Sequence, residues 1–141
     1  MRFTKRGATS AVAASFLVLM GTGTAHADTG YTSCTNSSQD PGGENCTVYY
    51  RGSDGSRASS VDFIAYGEHV YMYDEAADGK GIYAQLRWGS TPLPEKWLTA
   101  GYGTSTEFNI PAFQDGTNVP IRVCQTNAGQ LQTCITMYPV A

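Results

Sequence analysis

Two groupings of acidic and basic side chains in this chain have types and spacing that could do chemistry: Asp74-x-x-x-Asp78-Gly79, and the neighbours Glu68 and His69. The first has the outline of a calcium loop, whose cation takes hard oxygen ligands. A loop of EF-hand type starting at Asp74 needs oxygens at its third and twelfth positions. Ala76 offers none, and Gln85 stands where the bidentate Glu belongs. The run reads as a polar turn between two strands, and no metal is expected. Glu68 and His69 are adjacent, and neighbours on a strand point to opposite faces, so the two do not converge as an acid–base pair. A triad on His69 would need Asp62 or Asp74 and a distant Ser, and no Gly-x-Ser-x-Gly element presents one. Twelve acids make a glycosidase-like carboxylate pair arithmetically available. Such a pair needs a sugar-deep cleft, whereas several of these acids sit beside Gly in turns. No catalytic residue and no cofactor are expected.

The four cysteines, Cys34, Cys46, Cys124 and Cys134, read differently. Separations of 12 and 10 residues do not make the close pairs of a structural zinc site. An even count in a small exported chain implies disulfides. Val119, Ile121 and Val123 alternate with Pro120, Arg122 and Cys124, and Leu131, Thr133, Ile135 and Met137 with Gln132, Cys134 and Thr136. A turn over Ala128-Gly129-Gln130 joins them as a hairpin that sets Cys124 opposite Cys134, Val123 opposite Ile135 and Ile121 opposite Met137. A slip of one residue would lose both the apolar face and the cysteine pairing. The expected bridges are therefore Cys124–Cys134 and Cys34–Cys46.

Export itself is read from residues 1–27. A basic head (Arg2, Lys5, Arg6) precedes an apolar run from Ala11 to Met20, and Ala25-His26-Ala27 supplies a cleavage site. The run is shorter than the roughly 20 residues needed to cross a bilayer. The mature chain would begin at Asp28 and hold 114 residues, with six basic against twelve acidic side chains, a net −6. That balance argues against nucleic-acid and membrane partners. A secreted, extracellular protein is expected, with His69 as its single histidine.

The elements that must position these residues read as β throughout. Cys46–Tyr50, Val61–Tyr66, His69–Tyr73, Ile82–Trp88, Trp97–Leu98 and Thr106–Ile110 alternate or cluster as strands, and the Cys-bearing hairpin adds two. Asp54-Gly55 and Asp78-Gly79 mark reversals, with Ser53–Ser60 read as turn. About seven or eight short strands predict an all-β, antiparallel β-sandwich of broadly immunoglobulin-like architecture, with a small barrel as runner-up. The segment from Asp28 to Asn45 is expected to be a flexible, disulfide-tethered arm before a domain at 46–141. Trp88 and Trp97 are assigned to the core and its rim.

The run Ala65-Tyr66-Gly67-Glu68-His69-Val70-Tyr71-Met72-Tyr73-Asp74, followed by Ala77-Asp78-Gly79, resembles small secreted two-disulfide β-sandwich proteins of actinobacteria. In those, an aromatic strand with a Gly-Glu break precedes an Asp-Gly turn, and a Cys-flanked hairpin closes the chain. The likeness spans Val61 to Thr136 and implies location and architecture; no catalytic residue is carried over with it.

Nine tyrosines and two tryptophans remain as the functional signal. With Val70 and Met72 packed inward beside Ile82 and Leu86, Tyr71, Tyr73, Tyr83 and Arg87 are expected to gather on one outer sheet face. Tyr and Arg are enriched at binding hot spots. The expected function is a non-catalytic module that binds an extracellular protein, such as an adaptor in a secreted toxin-like assembly. Two alternatives are an inhibitor of secreted hydrolases, presenting the Cys34–Cys46 or Ser90–Thr104 loop, and a carbohydrate-binding module using Tyr71, Tyr73 or Trp97.

Overall fold

The computed structural model describes residues 28–89 and 93–141; the leader at 1–27, and residues 90–92 of one proposed inhibitory loop, lie outside the described residues. Among the described residues, nine strands form two antiparallel sheets. They are β1 (Thr29–Asn36), β2 (Glu44–Arg51), β3 (Arg57–Ile64), β4 (His69–Asp74), β5 (Lys80–Leu86), β6 (Glu95–Leu98), β7 (Thr104–Phe108), β8 (Ile121–Asn127) and β9 (Gln130–Met137). One sheet runs β1-β2-β3-β4-β7 and the other β6-β5-β8-β9. β1 lies against β9 on one flank, and β7 against β6 on the other. The architecture is the expected sandwich.

Alternation builds the core. Val48 and Tyr50 of β2, Val61 and Phe63 of β3, and Val70 and Met72 of β4 face Ile82, Ala84 and Leu86 of β5, Ile121 and Val123 of β8, and Met137 of β9, all fully buried. Tyr50 is the one polar side chain of this set. Its hydroxyl crosses to the second sheet and lies 2.9 Å from the carbonyl oxygens of both Val123 and Thr133, as a buried phenol requires. Burial pushes its pKa up to about 12.

The closing hairpin has the predicted register, with Ile121 opposite Met137, Val123 opposite Ile135 and Cys124 opposite Cys134. A bulge between Cys124 and Thr126 then shortens the turn to Ala128-Gly129, both at positive φ. Both disulfides are the predicted ones, Cys34–Cys46 and Cys124–Cys134.

Three expectations are corrected. The arm from Asp28 to Asn45 contains an eight-residue strand, β1, paired with β2 along its whole length from Thr29↔Arg51 to Asn36↔Glu44. It is held by Asp28, a buried carboxylate that accepts from Lys80 Nζ at 2.6 Å and from Gln125 Nε2. Gly30 lets it sit close: a Cβ there would lie 2.4 Å from Ile135 Cδ1 and 2.8 Å from the Tyr50 ring. Second, β3 begins at Arg57, so half of the segment read as turn is strand. Third, Trp88 and Trp97 are 47% and 39% exposed rather than core. Leu98 takes the inward place opposite Ile82, which turns Trp97 outward beside Tyr83. β5 ends at Leu86, and Trp88 swings onto Phe113, ring centroids 5.6 Å apart.

Candidate functional site

The four residues expected on one face are divided between two. β4 and β5 belong to different sheets, so Tyr71 and Tyr73 stand on the outer face of the five-stranded sheet, while Tyr83 belongs to the four-stranded sheet and Arg87 follows directly after its strand β5. The premise holds, since Val70, Met72, Ile82 and Leu86 all point inward. The inference from it fails because inward residues of opposed layers meet across the core.

On the five-stranded face, cross-strand pairing sets two rows. Tyr31, Tyr49, Ser60, Tyr73 and Ser105 follow one another across β1, β2, β3, β4 and β7; Ser33, Thr47, Asp62, Tyr71 and Glu107 make the row beside it. Tyr31 and Tyr49 stack with centroids 5.2 Å apart and planes at 17°. Two guanidiniums cover the Tyr49 ring, Arg51 at 5.4 Å and Arg57 at 4.7 Å from its centroid. Such contacts contribute about 0.5–1 kcal/mol each at exposed sites. Glu75 ties this end together: Arg57 Nε lies 3.8 Å from Glu75 Oε2, and Ser60 Oγ donates to the same oxygen at 3.1 Å. At the other end His69 stacks on Tyr71, centroids 5.8 Å apart, and its Nδ1 lies 2.6 Å from Glu107 Oε1. Between them Asp62 keeps one buried carboxylate oxygen, Oδ1, without a partner. The Tyr73 hydroxyl is raised above the usual tyrosine range, first by burial and then by the Asp62 carboxylate beside it.

The four-stranded face is built differently. Trp97, Tyr83, Cys124 and Cys134 lie in one row across β6, β5, β8 and β9. Tyr83 is buried beneath Trp97, ring centroids 4.7 Å apart and planes at 58°. Its hydroxyl donates to Glu95 Oε2 at 2.7 Å, and burial, reinforced by that carboxylate, pushes its pKa up to about 12. Tyr83 thus supports Trp97 and presents no surface of its own. Arg87 is exposed and reaches Gln85 Oε1 at 3.2 Å.

Glu68 and His69 take separate partners. Glu68, at positive φ in the β3–β4 turn, accepts from the Phe113 amide at 2.8 Å, while His69 faces Glu107. Asp78 Oδ1 accepts from the Lys80 amide at 2.9 Å and so shapes the turn before β5. Asp74 points into the sandwich, where burial raises its pKa and its Oδ2 has no partner.

Sequence reasoning missed Tyr31, Tyr49, Arg51 and Arg57. The signal that could have found them is the cysteine pair. With Cys34 opposite Cys46 in an antiparallel register, Tyr31 must stand opposite Tyr49 on the same sheet face. No family model matches the chain, and no curated protein or solved structure is significantly similar to it.

Proposed function

We propose that this chain is a secreted, non-catalytic module that binds an extracellular protein through the outer face of its five-stranded sheet. The observation that carries the reading is the tyrosine layer of Tyr31, Tyr49, Tyr71 and Tyr73 across three strands, in which Arg51 and Arg57 cover Tyr49 and His69, paired with Glu107, stacks on Tyr71. Tyr31, Tyr49 and Tyr71, already held by stacking, would lose little rotamer freedom on binding. The charges on this face are largely matched within it, so a partner meets contact area with polar tips rather than a strong field. Tyr49 already meets Tyr31, Arg51 and Arg57, and Tyr71 meets His69, which weighs against these two rings as stacking platforms for a sugar. Two disulfides, with no helix long and apolar enough to cross a membrane among the described residues, are compatible with an extracellular setting. An adaptor role in a secreted assembly fits this reading.

A second reading, inhibition of a secreted hydrolase, draws on the β1–β2 hairpin tip. The Cys34–Cys46 bridge closes its base, the Ser37 amide donates to the Gly43 carbonyl at 2.8 Å, and Ser37 Oγ accepts from the Asp40 amide at 3.1 Å. That makes a braced loop with Ser38, Gln39, Pro41 and Gly42 exposed at its tip.

The test is capture from the producer's culture fluid with three immobilised forms: the wild type, Tyr71→Ala/Tyr73→Ala, and Gln39→Ala/Pro41→Ala at the hairpin tip. A protein held by the wild type and the tip variant, and lost from the tyrosine variant, supports the face. A hydrolase lost only from the tip variant transfers the function to the loop. A partner retained by all three overturns both.

A further inference from the structure

The two flanks of the sandwich are finished in opposite ways. On one flank the edge strands are short and charged: β6 is Glu-Lys-Trp-Leu, four residues, and β7 is Thr-Ser-Thr-Glu-Phe, five. Those are the devices that keep a sheet edge from pairing with another chain. On the other flank the edge strands are β1, Thr-Gly-Tyr-Thr-Ser-Cys-Thr-Asn, and β9, Gln-Leu-Gln-Thr-Cys-Ile-Thr-Met, each of eight residues. Neither holds a charged residue or a proline. β1 runs in unbroken register with β2, and most of its residues are exposed. Every second residue of such an edge directs an N–H and a C=O away from its own sheet.

We infer that this flank is a self-association surface, on which a second copy of the chain pairs β1 with β1 and β9 with β9 about one two-fold axis. Three observations select a second copy over a strand from another protein. Two long open edges lie together on this flank; one incoming strand would cap one of them, whereas a second copy supplies both. An isologous antiparallel contact sets each strand against itself, and uncharged strands rich in Thr and Ser or Gln create no like-charge pairs when this happens. The area also suffices. Eight residues span about 27 Å, and two layers with their side chains about 20 Å, so two copies bury on the order of 1,000 Å² in total, the threshold for a specific interface. The product has a functional corollary: joining β1 to its copy sets two tyrosine faces side by side on one ten-stranded sheet and makes partner binding bivalent.

The experiment is sedimentation equilibrium of the folded, disulfide-bonded chain from micromolar to hundreds of micromolar, beside Ser33→Lys/Gln132→Lys, which places one charge on each edge at an exposed position. The wild type is expected to be a dimer and the lysine variant a monomer of unchanged circular dichroism over the same range. Amide hydrogen exchange on the wild type alone gives a second reading that needs no variant. Alternate amides of β1 should be protected at high concentration and lose that protection on dilution. A wild type that stays monomeric, or a dimer that survives both lysines, overturns the proposal. So does protection of β1 that appears only when a different protein is added, which would assign the edge to strand donation by that protein. Because mass is read without any partner, failure here leaves the tyrosine face to its own test.

Discussion

Tyr50 joins the two layers through one hydroxyl, and its chemistry predicts how the fold responds to substitution and to alkali. Tyr50→Phe keeps the ring and removes the hydrogen bond to the second sheet, so it should cost about 1–2 kcal/mol, read as a shift in denaturant midpoint. Tyrosine ionises near pH 10 in an unfolded chain but at about 12 for Tyr50 and for Tyr83 in this fold. Between those values the unfolded chain sheds protons that the native chain holds. Stability should therefore be intact below pH 10 and fall as pH rises towards 12, by on the order of 2–3 kcal/mol for Tyr50. In Tyr50→Phe that decline should be visibly shallower; an unchanged decline would mean the phenol is not buried as described. Asp74 and Asp78 carry the complementary expectation. With one pointing inward and the other shaping a turn, millimolar calcium should leave the melting temperature unchanged. A rise equivalent to about 2.7 kcal/mol, the effect of a ligand at a hundred times its dissociation constant, would contradict that assignment.

At the scale of elements, the closing hairpin was legible in the sequence because three constraints agreed on one register: apolar alternation in both strands, a cysteine on each, and a Gly-containing turn. β1 was not legible. Its inward positions are Gly30, Thr32 and Cys34, which show no apolar period, and its pairing rests on the neighbouring strand and the disulfide instead. The same holds for the first half of β3, where Ser59 and Ser60 are buried although polar. β1 should be sensitive to bulk at one place. Gly30→Val puts side-chain atoms into space held by Ile135 and the Tyr50 ring, and overpacking of this kind costs about 1–3 kcal/mol. Thr35→Val, at an exposed position on the outer face of the same strand, should cost nothing measurable in the same urea titration. Non-reducing peptide mapping should find Cys34 joined to Cys46 and Cys124 to Cys134. Losing either bridge should lower stability by about 2–5 kcal/mol, the usual loss for a small secreted domain.

For the whole molecule, the division of the tyrosines between two faces turns on a single connection. Asp78-Gly79 read as the turn of a hairpin within one sheet, yet the residues from Glu75 to Gly79 carry the chain from the five-stranded layer to the four-stranded one. A strand has the same alternating pattern whether its successor lies beside it or across the core, so the sequence held no signal to separate the two. The sandwich itself could be read from strand count and turn chemistry. Which aromatics share a surface depended on layer assignment, and that exists only in the folded chain. The two faces consequently differ in what they can do: one spreads tyrosines over three strands, while the other buries Tyr83 and leaves Trp97 above it.

Calorimetric titration of the captured partner against two variants tests the central claim most directly, one variant for each face. Tyr71→Ala/Tyr73→Ala truncates the five-stranded face without opening the core, so its melting temperature should stay near that of the wild type. Its affinity should fall by 2 kcal/mol or more, about thirtyfold, if these rings sit at the centre of the contact. Trp97→Ala on the opposite face should bind as the wild type does. Loss of affinity in the Trp97 variant with none in the tyrosine variant would place the partner on the four-stranded sheet and contradict the account.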